Sequence, residues 1–423
     1  MKLFKHQEDG LKRTVNFNRV AYYWEMGTGK TFVGSEKLMS FGTRVNLVVC
    51  QKSKVDDWVN HFVKNYLDLK HDIVDLTGKI GFEYFTKSCV KDKDCVVGII
   101  NYDLLYRRPE LLKLKDFTLM LDESSLIQNE TTKRCKFVLK MKPANVILLS
   151  GTPTSGRYER LYSQIKLLGW NISKRDYWNR YINWEYVQFG RMPFPIKQVT
   201  NYRDVEGLKQ QLRLHGADFL KADESSLPSQ TFIDELVECD KNYRKFMKNG
   251  IVTINDVELV GDNSLKKLLY ARQLCGAYNN NKLKAFEDLI NSTEDRILVF
   301  YNFNVELDAL KEIAKDRPLS FVNGSNKDLE AYENEDNSIT FIQYQSGAFG
   351  LNLQKANKII YYTLPLSSEL YEQSKKRTHR IGQDKPCFYY NLICKNSVEE
   401  KIKDTLALRK DYNEKLFEED YSC

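Results

Sequence analysis

The chain has no C-x-x-C pair: its nine cysteines stand apart at positions 50, 89, 95, 135, 239, 275, 387, 394 and 423. An odd, scattered set argues against a disulfide framework and against a zinc site, and leaves buried thiols as the expectation. No stretch approaches the roughly 20 apolar residues a membrane span requires. The first residues, Lys2-Leu-Phe-Lys-His-Gln7, hold no apolar signal region, so a soluble, cytoplasmic protein with no membrane attachment is expected. Charge of one sign is also scarce: 64 Lys+Arg against 57 Asp+Glu leaves +7, which suits a nucleic-acid partner and is equally common without one. There is no internal repeat at a solenoid period and no long low-complexity tract.

What is present is enough apolar residue for more than one core, 42% of 423 residues, which predicts at least two lobes. Short apolar runs recur through the first 165 residues: Val45-Asn-Leu-Val-Val49, Cys95-Val-Val-Gly-Ile-Ile100, Phe117-Thr-Leu-Met-Leu121 and Val146-Ile-Leu-Leu149. Each reads as a strand buried on both faces, the pattern of a parallel α/β sheet. A second series begins at Arg296-Ile-Leu-Val-Phe-Tyr301 and runs through Ser338-Ile-Thr-Phe-Ile342, Lys358-Ile-Ile-Tyr-Tyr362 and Cys387-Phe-Tyr-Tyr-Asn-Leu-Ile393. The expected division is 1–165, a linking segment of helical insertions at 166–285, and 286–423 ending in a charged amphipathic helix over about 397–416.

Gly27-Thr-Gly-Lys-Thr31 follows the apolar Val20-Ala-Tyr-Tyr23 and precedes a helical pattern, the place where a strand hands over to a helix. Glycines let backbone N–H groups close on phosphate oxygens, Lys30 adds charge, and the Thr31 hydroxyl suits Mg²⁺. Against G-x-x-x-x-G-K-[ST], Trp24 stands where the first Gly belongs, so a chance Gly-Lys-Thr turn is the competing reading. That reading weakens beside Phe117-Thr-Leu-Met-Leu-Asp-Glu123, an apolar strand ending in two carboxylates. Asp122 is placed to hold Mg²⁺ through water and Glu123 to polarise an attacking water.

Together these segments resemble a superfamily 2 helicase-type ATPase, in particular the Swi/Snf-like branch of DNA translocases, from Leu3 to about Ile402. Leu3-Phe-Lys-His-Gln7 resembles the adenine-reading Gln motif, and Glu25-Met-Gly-Thr-Gly-Lys-Thr31 motif I. Val48-Val-Cys-Gln-Lys-Ser53 with Trp58 resembles motif Ia, and Ile100-Asn-Tyr-Asp-Leu-Leu105 a later strand-end motif of the same lobe. Leu121-Asp-Glu-Ser-Ser-Leu-Ile-Gln-Asn129 is similar to the Asp-Glu-Ala-His box, with Ser124 and Ser125 replacing Ala and the His that usually links ATP to motif III. Leu149-Ser-Gly-Thr-Pro153 resembles motif III. Residues 218–228 resemble the crossing to the second lobe, without the usual paired arginines. Tyr344-Gln-Ser-Gly-Ala-Phe-Gly-Leu-Asn-Leu353 resembles motif V, and His379-Arg-Ile-Gly-Gln383 is the branch's hallmark end of motif VI.

The resemblance implies an α/β fold of two RecA-like parallel-sheet lobes with helical insertions between them. It implies ATP contacts from Gln7, Met26, Gly27, Thr28, Gly29, Lys30 and Thr31, and Mg²⁺ held by Thr31 and Asp122. Catalysis falls to Lys30, Asp122, Glu123, Arg377 and Arg380, with Arg380 the finger that stabilises charge on the leaving phosphates. Interlobe coupling and nucleic-acid contact fall to Ser150, Thr152, Ser346, Gly350 and Gln383. His379 is assigned no chemistry.

The aromatics of the middle segment (Trp170, Tyr177, Trp178, Tyr181, Trp184, Tyr186, Phe189, Phe194 and Tyr202) alternate with Lys174, Arg175, Arg180, Arg191 and Lys197. They are expected to form the small core of an insertion with the cations outside it, base stacking being the alternative. Phe189-Gly-Arg191 and Asn201-Tyr-Arg-Asp-Val-Glu-Gly-Leu208 faintly resemble compact fork-remodelling or annealing members of the branch, so the cytoplasm expected is that of a bacterium or a phage-infected host cell. The implied activity is ATP-driven movement of a monomer along DNA, duplex favoured and RNA left open. A strand-separating helicase and a catalytically silent nucleic-acid clamp are the alternatives, the second opposed by the intact Lys30, Asp122, Glu123 and Arg380.

Overall fold

The structure, a computed structural model, describes residues 3–25, 27–66, 70–90, 95–154, 157–188, 196–221, 227–254, 257–324, 326–347, 351–380 and 382–408. The chain divides into two compact units, Met1–Ala222 and Asp223–Cys423.

In the first unit seven strands lie side by side in the order His71–Asp75, Cys95–Asn101, Val45–Cys50, Phe117–Asp122, Asn145–Leu149, Arg19–Trp24, Ala217–Leu220. Every pairing is parallel. Successive side chains of a strand point to opposite faces, and here both faces are apolar. Along Val45–Cys50, Val45, Leu47 and Val49 join one core layer while Val48 and Cys50 join the other. The helix Lys30–Ser40 packs against this sheet at Gly34, where a Cβ would lie 2.9 Å from Leu149 Cδ1.

The second unit repeats the architecture in the order Gln230–Val237, Cys387–Cys394, Lys358–Tyr361, Ile297–Tyr301, Ile339–Gln343, Leu319–Val322, Lys327–Asp328. Its pairings are parallel except the last, which is antiparallel. Ile297–Tyr301 shows the same two-sided burial, with Leu298 and Phe300 in one layer and Ile297, Val299 and Tyr301 in the other. Two parallel α/β sheets are thus the RecA-like pair the sequence implied.

The segment 166–285, expected as helical insertions between boundaries at 165 and 286, is divided between the units and carries six strands beside its helices. The division falls within 218–228, the stretch that resembles a crossing point. Ala217–Leu220 completes one edge of the first sheet and Gln230–Val237 one edge of the second. Ile182–Val187 pairs with Ile196–Tyr202, and Ile251–Ile254 with Val257–Val260. These strands lacked a signature because edge and hairpin strands are half solvated; Gln230–Val237 is largely exposed and its sequence runs in polar and apolar pairs, with neither a continuous apolar run nor a period of two.

Tyr177 and Tyr181 are fully buried and Trp170 is 8% exposed, so the core reading of these aromatics holds. Lys197 Nζ lies 3.5 Å from the Trp184 ring centroid, and Tyr186 stands exposed. Phe189, Arg191 and Phe194 lie outside the described residues. The terminal helix is Val398–Ala407, and the expected continuation to 416 lies outside them too. Among the described residues no helix is long and apolar enough to cross a membrane.

Candidate active site

Three neighbouring strands of the first unit carry the site. Register pairs Asp122 with Leu149 and Leu149 with Tyr22. Because the strands are parallel, their C-terminal ends share one edge of the sheet. The loop after Trp24, Ser150 after Leu149, and the Asp122–Glu123 pair therefore stand next to one another.

The loop turns on Gly27 and Gly29, whose φ of +84° and +77° lies in the left-handed region that glycine tolerates best. Lys30 then opens the helix, and its Nζ donates to Trp24 O at 2.9 Å and Glu25 O at 3.0 Å, while Thr31 lies in the same first turn. Thr28 Oγ1 donates to Glu25 O at 2.7 Å. Met26 lies outside the described residues.

Gln7 is buried against this loop: its Nε2 donates to Gly29 O at 3.2 Å and its Oε1 accepts from Phe4 N at 2.9 Å. A Cβ on Gly29 would come within 2.2 Å of that Nε2. The glycine is thus required twice over, by its φ and by Gln7. His6 Nε2 lies 2.8 Å from Thr28 O, so the whole first helix, Lys5–Arg13, braces the loop.

Trp24, which occupies the place of the motif's first glycine, is the last residue of its strand and not part of the turn. Its ring is fully buried and its Nε1 donates to Asp218 Oδ2 at 2.8 Å. Arg13 grips the same carboxylate through both Nε and Nη2, at 2.7 and 2.8 Å.

Asp122 Oδ2 accepts from Trp58 Nε1 at 2.8 Å. Its other oxygen has no protein donor among the described residues, which leaves that lone-pair face open. Glu123 sits at φ +58°, ψ +61°, a left-handed conformation that costs a residue with a Cβ about 1–2 kcal/mol. Hydroxyls hold it there: Ser125 Oγ and Ser150 Oγ each donate to Glu123 Oε1 at 2.7 Å. Tyr102 OH donates to the preceding carbonyl, Asp122 O, at 3.0 Å.

These contacts account for the two departures from the expected box. Ser125, in the place of the linking His, shares a carboxylate oxygen with Ser150, and Thr152 N donates to Ser150 Oγ at 3.2 Å. Ser124 Oγ donates to Gln164 Oε1 at 2.8 Å, and Gln164 Nε2 donates to Pro153 O at 2.9 Å. Tyr23 OH adds a second donor to Gln164 Oε1 at 3.0 Å, and Gln128 Nε2 reaches Pro153 O at 3.1 Å. Gln164 is fully buried, and nothing in the mixed run Tyr162-Ser-Gln-Ile-Lys-Leu167 singled it out. Trp58 is legible as part of the segment resembling motif Ia, but its partner Asp122 is not.

On the same edge of the sheet Lys52 and Arg107 line a groove of about 360 Å³ together with Asp56, Asp75 and Asp103. A second groove, about 450 Å³, runs past Ser125 and Gln128 to Arg160 and Lys174.

In the second unit, Arg377 is buried, its Nη1 donating to Leu351 O at 3.3 Å while its carbonyl accepts from Leu353 N at 3.1 Å. Arg380 is half-buried and meets Asn352 Oδ1 at 2.5 Å. Gln383, expected at a nucleic-acid contact, is 5% exposed and committed to the backbone. Its Nε2 donates to Gln354 O and Ala356 O at 3.0 and 2.9 Å, and its Oε1 accepts from Lys385 N. Gln383 therefore clasps 354–356 to 383–385, because a buried amide must spend its donors and acceptor internally. His379 Nε2 lies 2.8 Å from Pro228 O, a packing role in keeping with no assigned chemistry. Ser346 belongs to the turn of helix Tyr344–Gly347; its side chain and Gly350 lie outside the described residues.

Residues 6–281 match the SNF2-related domain and residues 281–382 the helicase conserved C-terminal domain. The human SWI/SNF-related matrix-associated actin-dependent regulator of chromatin subfamily A member 1 is 23% identical over 433 aligned residues, which cover 91% of this chain and 40% of that protein. An uncharacterized ATP-dependent helicase of Mycoplasma genitalium is 22% identical, covering 99% of this chain and 42% of its own length. The chain thus spans about two fifths of the curated relatives it matches. Among solved structures, a Sulfolobus solfataricus SWI2/SNF2 ATPase core in complex with dsDNA is 18% identical with a TM-score of 0.43, covering 99% of this chain and 92% of that one. With the first of these domains alone matching well over half of its residues, the chain belongs to the SNF2-related family.

Proposed function

We propose that this chain is an ATP-driven motor that moves along duplex DNA. The carrying observation is Glu123, held in a strained backbone conformation by Ser125 and Ser150, beside Asp122 and the Lys30 loop. In this reading the loop amides and Lys30 hold the phosphates, and Thr31 and Asp122 hold Mg²⁺, which when bound neutralises phosphate charge. Glu123 orients the attacking water. Arg380 supplies the positive charge that stabilises the transition state. Duplex DNA is favoured by the family, and contact through the phosphate backbone predicts weak sequence preference and strong salt dependence.

The test is ATP hydrolysis measured with duplex DNA, single-stranded DNA and RNA, alongside a strand-displacement assay. Duplex-stimulated turnover without displacement is expected, and stimulation by RNA alone would refute the reading. Efficient displacement would instead favour an unwinding enzyme, in line with the helicase names of several relatives. Lys30→Ala should abolish phosphate release, and Glu123→Gln should keep ATP binding while nearly stopping hydrolysis; a chain silent with every nucleic acid would be a clamp.

A further inference from the structure

We propose that Cys239, Cys275 and Cys394 form a site in the second unit for a soft, thiophilic metal ion of the Zn²⁺ class. The three thiols come from separate segments: Cys239 lies just past the strand Gln230–Val237, Cys275 ends the helix Ser264–Cys275, and Cys394 ends the strand Cys387–Cys394. All three are buried, and their sulfurs lie within 4.8 Å of one another. Sulfurs bound to one ion at about 2.3 Å are roughly 3.8–4 Å apart, so shifts of about an ångström close the triangle.

The thiols sit among polar groups: Cys239 Sγ donates to Lys395 O at 3.3 Å and Cys394 Sγ to Cys275 O at 3.4 Å, bonds that metal binding would replace. Asn279 Nδ2 donates to Cys394 Sγ at 3.0 Å, the kind of N–H···S bond that steadies a metal-bound sulfur. Beside it a fully buried ion pair joins Lys282 Nζ to both oxygens of Glu399, at 2.6 and 2.7 Å, and Glu399 Oε2 accepts from Cys394 N at 2.9 Å. The ammonium and the carboxylate neutralise each other, so the charge of three thiolates is left to the ion itself. Binding would release the thiol protons and seat the ion among three sulfurs. The ion would pin two strand ends and a helix end of one sheet together, a structural role.

The full-length chain, purified without chelators, should carry one equivalent of metal. After removal with chelator, titration with Cd²⁺ should produce a sulfur-to-metal charge-transfer band that saturates at one equivalent. Cys239→Ser and Cys394→Ser should each weaken Cd²⁺ binding by about tenfold or more. Should those variants fail to fold, the wild-type chain still decides: Cd²⁺ should protect three thiols from maleimide, counted by intact mass. No charge-transfer band and no protected thiols would overturn the proposal, as would a band unchanged in both folded variants.

Discussion

The indole of Trp58 donates to Asp122 Oδ2 at 2.8 Å, tying the helix Val55–Asn65 to the carboxylate that ends the strand Phe117–Asp122. A hydrogen bond to a charged group contributes about 1.5–3 kcal/mol, or roughly ten- to a hundredfold in an equilibrium. Trp58→Phe keeps the buried ring and removes only the N–H. Hydrolysis should fall about tenfold or more, with a higher Mg²⁺ concentration needed for half-maximal rate and an unchanged circular dichroism spectrum. A Mg²⁺ titration unaffected by the substitution would disprove this role of the indole.

Ser125 and Ser150 share the task of holding Glu123 Oε1, so each single removal leaves the other bond in place. Ser125→Ala and Ser150→Ala should each lower kcat by about tenfold with little change in ATP affinity, and the double variant should lose more than either. Single-turnover hydrolysis beside nucleotide binding separates these effects.

Gln164 joins Ser124 to the Pro153 carbonyl from a fully buried position. Gln164→Leu keeps the volume and cuts the bonds to Ser124, Tyr23 and Pro153, and it should spare DNA-free hydrolysis while reducing the stimulation that DNA provides. The ratio of stimulated to basal rate is the readout; loss of both rates together would make Gln164 a packing residue only.

Arg380 is half-buried and its Nη1 meets Asn352 Oδ1 at 2.5 Å and Leu351 O at 3.5 Å, whereas Arg377 is buried and donates to the same Leu351 carbonyl at 3.3 Å. Arg380→Ala should therefore lower stimulated hydrolysis by about a thousandfold while ATP binding to the first unit survives. Normal turnover in this variant would remove it from the chemistry.

His61 Nε2 lies 2.9 Å from Ser35 Oγ on the helix that follows the phosphate loop, and burial lowers its pKa from 6.5 to about 4. The folded chain thus keeps His61 neutral where the unfolded chain protonates it. Its contribution to stability is complete above pH 6.5 and is lost as pH falls towards 4. The melting temperature should drop over that window, and His61→Gln should flatten the drop; an equal slope in both chains would exclude His61.

Much of this was legible locally. A phosphate loop is five contiguous residues after a strand, and the acids end one apolar run, so Lys30, Thr31, Asp122 and Glu123 needed no tertiary information. Paired sheets followed from two series of short apolar runs, since a strand buried on both faces is apolar throughout. The middle segment resisted because edge strands such as Gln230–Val237 are largely exposed, lack a continuous apolar run and take their stability from a partner distant in sequence. Gln383, expected in interlobe coupling or nucleic-acid contact, has a burial and a set of backbone partners that its place in a motif does not encode.

The residues themselves determined which chemistry is present: a loop for phosphate, two carboxylates, arginines in a family signature. Folding alone decided what touches what. Ser125 could be seen to replace a histidine, but not to meet Ser150 on one oxygen of Glu123. The cysteines looked scattered, and spacing argued against a metal; three of them converge because parallel strands and a helix end at one place in the second unit. Contacts of that kind join residues far apart in sequence, and no local pattern encodes them, because side-chain periodicity reports which face a residue occupies and not which residue it will face.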